Sequence, residues 1–149
     1  MDLAALSPAE VEQFLRRERI LRLAMDADGE RYLLPLGYVW HDGAIYCATI
    51  RGRKTRMLQR NPRVAFQVDD SATRDAFDWT SVTGEGTVEF VSDATEIATV
   101  SPLFFSRFAD MPDWAARQYE ARIRAGALIW LRIGPGKMSG REGAPRQAG

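Results

Sequence analysis

The residues best equipped for chemistry lie in one run, Tyr46-Cys47-Ala48-Thr49-Ile50-Arg51-Gly52-Arg53-Lys54-Thr55-Arg56. The run leaves an apolar strand, crosses a glycine and enters a short helix. Arg51, Arg53, Lys54 and Arg56 crowd the start of that helix. The positive end of a helix dipole disfavours each cation by about 0.3–1 kcal/mol. Four cations there call for an anion or for full solvation. A phosphate would supply the anion, because free N–H groups at a helix N-terminus already make an anion site. Gly52 would let the backbone approach such a group closely. Arginine offers forked donors and lysine a point charge. The same run also fits a solvated basic helix, extended by Arg60 and Arg63. A nucleic-acid patch is a third reading. The charge balance counts against it, since Lys plus Arg and Asp plus Glu number 20 each.

Other reactive side chains offer less. His41 is the only histidine and sits in a turn beside Asp42, which reads as a turn residue before a ligand. Cys47 lies on a strand with no base to activate it, so it reads as a small core residue. A single cysteine rules out an intrachain disulfide and a multi-cysteine metal site. It fits a reducing cytoplasm. Glu85, Glu89 and Glu96 read as a solvated face. Trp114, Tyr119 and Trp130 suit packing, or the wall of a pocket or interface.

The elements that must position this run are legible in outline. Ser7-Pro8-Ala9-Glu10 is a capping box with proline at the first helical position, predicting a helix to about Arg17. Ile20 to Met25, Arg31 to Trp40 and Ala44 to Thr49 read as three antiparallel strands. Asp26-Ala27-Asp28-Gly29 and His41-Asp42-Gly43 are the turns between them. Thr55 to Arg60 reads as a short helix stopped by Asn61-Pro62. Arg63 to Val68 alternates as a strand. A polar loop covers Asp69 to Arg74, and a long strand runs from Phe77 to Phe90. Gly84 and Gly86 fall on its apolar face, permitting a bend or a close approach. Helices follow from Ser92-Asp93 to Phe108 and from Pro112-Asp113 to Arg124. Ala127 to Ile133 is a last strand.

A chain of 149 residues suits one domain. We expect a single domain over residues 1–134 and a mobile tail over 135–149. Six mostly antiparallel strands with peripheral helices predict a small barrel in an α+β protein. No run approaches the roughly 20 apolar residues of a membrane span. No signal peptide is expected at Met1-Asp2-Leu3-Ala4.

Five ordered pieces add a resemblance. They are Arg31-Tyr32-Leu33-Leu34-Pro35-Leu36, Asp42-Gly43-Ala44-Ile45-Tyr46, Gly52-Arg53-Lys54, Asn61-Pro62-Arg63-Val64 and Trp79 to Gly86. Together, over about Ser7 to Phe90, the chain resembles the pyridoxamine-phosphate-oxidase-like, FMN-binding split barrels, with a nitroimidazole-resistance-type flavour. The resemblance implies FMN at a homodimer interface, with a deazaflavin as the alternative cofactor. It implies that Arg53 and Lys54 bind the phosphate, helped by Thr49 and Arg51. It places Leu34, Pro35 and Leu36 along the isoalloxazine through their backbone, and Trp79 and Ser81 on the partner's flavin. A flavin performs hydride or electron transfer itself, so the protein need only position and tune it. The implied function is an FMN-dependent oxidoreductase acting on a small molecule, or a flavin store or sensor without turnover. Many nitroimidazole-resistance-type members carry a histidine near Cys47 or Ala48, where this chain has none. Their particular activity is therefore not implied. Nor is pyridoxamine phosphate oxidation, since the C-terminal segment has no match.

Overall fold

The computed structural model describes residues 4–72 and 76–143. The chain begins with a two-residue strand β1 (Ala4–Ala5) and helix α1 (Pro8–Arg17). Strands β2 (Ile20–Ala27), β3 (Glu30–Gly37), β4 (Val39–His41) and β5 (Ala44–Thr49) follow. Helix α2 (Arg53–Arg60) leads to β6 (Arg63–Asp69) and β7 (Thr80–Val91). Helices α3 (Ala94–Arg107) and α4 (Asp113–Arg124) precede β8 (Ile129–Glu142). The strands form one curled antiparallel sheet in the order β3-β2-β6-β7-β8-β5-β4, with β1 added against β8. This is the expected α+β split-barrel architecture. Among the described residues no helix is long and apolar enough to cross a membrane.

Local chemistry explains the elements. The Ser7 hydroxyl accepts from the Glu10 N–H at 3.2 Å, and the Glu10 carboxylate accepts from the Ser7 N–H at 3.0 Å. That capping box starts α1, which buries Val11, Phe14 and Leu15 against the sheet. The β2–β3 and β4–β5 hairpins turn through Asp28-Gly29 and Asp42-Gly43. Both residues of each pair have positive φ, as a tight type I′ connection demands. Leu21, Leu23 and Met25 of β2 face the interior beside Val64, Phe66 and Val68 of β6. Strand β5 is buried on both faces. Ile45 and Cys47 join the barrel core, whereas Tyr46 and Ala48 join a second cluster with Phe104 and Trp130 beneath α3.

Four boundaries differ from expectation. The strand expected over Arg31–Trp40 divides at Tyr38, so the described residues form seven main strands where six were expected. There the chain leaves β2 and joins β5. A side chain at Gly37 would lie 2.8 Å from the Phe108 ring, so only glycine lets the chain pass this close to the end of α3 at the break. The Tyr38 hydroxyl donates to the Leu15 carbonyl at 2.8 Å, pinning α1 to the break. Strand β7 starts at Thr80, not Phe77. The polar loop expected from Asp69 begins one residue later, and its residues 73–75 lie outside the described residues. Finally, β8 continues to Glu142, where a mobile tail was expected from residue 135. Pro135, Gly136 and Gly140 conceal the strand pattern, yet Met138 opposes Gly84 and Glu142 opposes Thr80. The domain therefore extends at least to Glu142. Residues 144–149 of the expected tail lie outside the described residues.

Candidate functional site

The basic run occupies the junction of β5 and α2. Strand β5 ends at the buried Thr49, which pairs with Ile129 of β8. Gly52 is the N-cap of α2, and no side chain caps the first turn, which also lacks an acidic residue. The Thr55 hydroxyl closes the turn by donating to the Gly52 carbonyl and accepting from the Gly52 N–H, both at 2.9 Å. Gly52 has an extended φ of 174°, so strain does not require glycine there. A Cβ at Gly52 would meet nothing within 4 Å. Open space thus lies beside an uncapped helix start, the arrangement that receives an anionic group.

The four cations are not equivalent. Arg53 turns toward β3. It donates to the Glu30 carboxylate at 2.7 Å and to the Arg31 carbonyl at 3.4 Å. Its guanidinium lies 4.2 Å from the centre of the Tyr32 ring. Lys54 is half-buried. Burial holds its ammonium below the usual lysine range, and the nearby Arg122 charge lowers it further. Arg51 and Arg56 are exposed. Among the described residues no carboxylate pairs with Arg51, Lys54, Arg56 or Arg122. Full solvation accounts for Arg51 and Arg56. It does not account for Lys54.

Strand β3 runs beside this junction as one edge of the sheet. Leu34 and Leu36 pack against the core and Pro35 faces outward. Among the described residues one side of β3 has no ladder partner, so alternate backbone N–H and C=O groups face away from β2. A proline suits such an edge. Leu34, Pro35 and Leu36 thus lie on a strand with free backbone groups along one side.

Trp79 and Ser81 lie elsewhere. Ser81 opposes Asp69 and Arg141, and its hydroxyl accepts from the Gln67 amide at 3.1 Å. The Trp79 indole N–H donates to the Ala76 carbonyl at 3.1 Å. Thr87, six residues on from Ser81, opposes Arg63 at the end of the sheet where Arg53 meets Glu30. Six residues of strand span about 20 Å. Within one chain, Ser81 and Arg53 are thus at opposite ends of the sheet.

Between those ends runs a groove that sequence reasoning missed. It lies on the outer face of β3, β2, β6, β7 and β8. Two overlapping cavities of about 780 and 650 Å³ share Ala24, Leu33, Ala65, Glu85 and Lys137. Ala24 and Ala65 oppose each other across β2 and β6, and their small side chains form the floor. Leu33 stands 68% exposed at its wall. The outward alanines, set among Arg22, Asp26, Arg63 and Gln67, were the available signal.

The remaining candidates settle into structural roles. Cys47 is fully buried, and burial pushes its thiol up to about 12. Glu85 and Glu89 face outward as expected. Glu96 does not belong to a solvated face. It is half-buried on α3, accepting from the Tyr46 hydroxyl at 2.6 Å and from Arg132 at 3.4 Å. That network, beside His41, lines a small cavity of about 300 Å³. Tyr119 and Trp130 pack edge-on to Phe104 and Phe105, whereas Trp114 is exposed.

Known proteins share this fold. A family model described as pyridoxamine 5'-phosphate oxidase matches residues 7–142. An uncharacterized protein of Rhizobium meliloti (strain 1021) is 26% identical over 84 residues, and the match spans 56% of this chain and 56% of that protein. A solved FAD-binding protein from Mesorhizobium loti is 30% identical, covering 95% of this chain and 99% of its own, with a TM-score of 0.77. A proposed 5-nitroimidazole antibiotic resistance protein from Bacteroides thetaiotaomicron is 16% identical and shares the fold. It covers 95% of this chain and 87% of its own, at a TM-score of 0.69. With a curled sheet that follows this fold from end to end and a family match reaching from Ser7 to Glu142, the chain belongs to the pyridoxamine 5'-phosphate oxidase family.

Proposed function

We propose that this protein is a flavin-dependent oxidoreductase acting on a small molecule, with its cofactor held at the Arg51–Lys54 turn. The observation that carries this reading is the uncapped first turn of α2, flanked by the unneutralised Lys54 and by the free edge of β3. The Mesorhizobium loti relative, described as FAD-binding, supports a flavin in the same fold. A bound flavin would supply hydride or electron transfer.

The chain's own residues then have distinct tasks. The first N–H groups of α2 and the Lys54 ammonium attract the phosphate that ends the ribityl arm. Arg51 adds exposed positive charge. The buried Thr49 and the Gly52–Thr55 turn hold the backbone of this junction in place. Arg53, engaged with Glu30 and Tyr32, holds the start of α2 against β3 and leaves one face of its guanidinium for the cofactor. Backbone groups of Leu34, Pro35 and Leu36 meet the polar rim of the ring.

Trp79 and Ser81 are too far from Arg53 to serve the same site in one chain. They serve it from the other half of a two-fold dimer. An isologous interface places each protomer's Ser81 end against its partner's Arg53 end. The outer groove floored by Ala24 and Ala65 supports that reading.

Purified protein separates the alternatives. Absorption in the flavin bands and the mass of the molecule released by heat distinguish FMN, FAD and deazaflavin, which share the same phosphate arm. Aerobic consumption of a nicotinamide donor distinguishes an enzyme from a flavin store. A colourless protein that takes up no flavin from solution contradicts the proposal.

A further inference from the structure

A cavity of about 300 Å³ opens between α3 and the hairpin end of β5. Its origin is one rung of the sheet. Tyr46 of β5 opposes Arg132 of β8, which opposes Glu89 of β7. Asp93 caps α3 by accepting from the Glu96 N–H at 2.8 Å, and this sets Glu96 in the first turn, against the rung. Two residues along the same strand faces stand Ala44 and Gly134. Their lack of bulk leaves the space, and Val100, one helical turn on from Glu96, closes it from the α3 side. Ala44 lies about 17 Å along β5 from Thr49, so the cavity is separate from the α2 turn.

The lining is rich in acceptors and in negative charge. The Arg132 guanidinium donates to both Glu89 and Glu96, so one cation serves two carboxylates. Tyr46 is only 4% exposed, and its hydroxyl donates to Glu96 at 2.6 Å. Burial and that bond hold the phenol above its ordinary range, so tyrosine keeps its proton and remains the donor. Tyr46 and Arg132 both reach the same Glu96 oxygen, Oε2, and among the described residues Oε1 has no partner. The Thr99 hydroxyl donates to the Thr95 carbonyl at 3.0 Å, which leaves its oxygen as an acceptor. At the rim, neither the His41 ring nor the Asp42 carboxylate has a hydrogen-bonding or ionic partner among the described residues. The His41 and Tyr46 rings, 6.3 Å apart, add aromatic wall. Among the described residues no lysine lines the cavity. Asp42 therefore adds a second uncompensated negative charge to the one that Arg132 leaves.

We propose that this cavity is a second ligand site, which takes a small organic cation, a primary ammonium on a short alkyl chain, between Glu96 and Asp42. The inference goes beyond the flavin reading and does not depend on it. An ammonium has three N–H donors and no acceptor. It complements Glu96 Oε1, the Asp42 carboxylate and the Thr99 oxygen, while Ala44 and Val100 offer apolar surface to the alkyl chain. An anion would meet Asp42 and Glu96 with the one guanidinium already shared, and like charges there repel it. Gly134 also lines the outer groove, so an occupant would sit against the strand that walls both.

The test uses the full-length protein and n-butylammonium chloride as the probe. His41 is the only histidine, so its ring signals in a proton–carbon NMR spectrum report on the cavity rim without ambiguity. At fixed pH and ionic strength, butylammonium is expected to shift them saturably with half-saturation near about 1 mM, whereas butanol and butyrate leave them in place up to about tenfold that concentration. Glu96→Gln keeps an acceptor for Tyr46 and is expected to weaken binding at least about tenfold. Asp42→Asn suits the φ of 49° at that turn and is expected to weaken binding about threefold. It lies on an exposed turn and carries the test if Glu96→Gln fails to fold, which far-UV circular dichroism checks. Lys54→Ala should bind butylammonium as wild type does, since it lies at the flavin turn. No saturable shift, equal shifts with butanol or butyrate, or unchanged affinity in the folded carboxylate variants overturns the inference. Magnesium chloride that produces the same saturable shift also overturns it, because a metal ion would then be the ligand. None of these results bears on flavin binding.

Discussion

The guanidinium of Arg53 lies over the ring of Tyr32, 4.2 Å from its centre, while donating to the Glu30 carboxylate at 2.7 Å. One of the two cations nearest the helix start therefore already has a counter-charge, and the other does not. Lys54→Ala should consequently cost more flavin than Arg53→Ala. We expect roughly a tenfold larger loss of affinity for the lysine variant, in line with a charge-assisted bond worth about 1.5–3 kcal/mol. Arg53→Ala should instead cost about 0.2–1 kcal/mol of stability, since its ion pair is half-exposed. Flavin titration and urea unfolding of the two variants compare these effects. A larger flavin loss from Arg53→Ala would reverse the assignment.

Gly52 and Gly84 should respond in opposite ways. At Gly84 a Cβ would lie 2.5 Å from the Phe66 ring and 2.9 Å from the Met138 side chain. Gly84→Val should therefore destabilise the fold by about 1–3 kcal/mol through overpacking. At Gly52 a Cβ meets open space. Gly52→Ala should cost less than about 1 kcal/mol of stability and yet reduce flavin retention several-fold. Thermal melting and flavin content, measured on both variants, separate the two effects. Full flavin retention in Gly52→Ala would show that the cofactor does not approach there.

These two glycines also show what a sequence reveals and what it hides. The alternation in Arg63–Val68 exposed the inward face of β6 directly, and that in Phe77–Phe90 placed Gly84 and Gly86 on the apolar side of β7. The register of β7 on β8 indeed shifts between them. The capping box of α1 was equally local and equally legible. The break at Tyr38 was not, because Leu36, Tyr38 and Trp40 continue the alternation of β3. Phe108, far along the chain, packs so close to Gly37 at the break that it leaves no room for a side chain there. The extension of β8 was hidden by Pro135, Gly136 and Gly140, which read as a tail. At the site, the basic cluster was visible and its division was not. Glu30 reaches it only through the β2–β3 hairpin.

A site shared between protomers makes a mixing prediction. Lys54→Ala and Trp79→Ala should each lose flavin when alone. After unfolding and refolding together, random pairing makes half of the dimers mixed. Each mixed dimer then holds one site with both defects and one intact site. Flavin binding should recover to about a quarter of all sites. No recovery, or a sedimentation profile showing a flavin-loaded monomer, would place Trp79 outside the partner's site.

Cys47 should be inert in the folded protein. It is buried, and burial holds its thiol near 12, so almost no thiolate exists near neutral pH. A thiol reagent should label native protein negligibly between about pH 7 and pH 9, and label it fully in guanidinium. Fast labelling of native protein that rises with pH in this range would contradict its place in the core.

The most direct test is the absorption spectrum of purified wild type beside that of the Arg53→Ala, Lys54→Ala double variant, with far-UV circular dichroism of both. The account predicts a yellow wild type with about one flavin per chain and a colourless, folded variant. Equal flavin in the two proteins would contradict it.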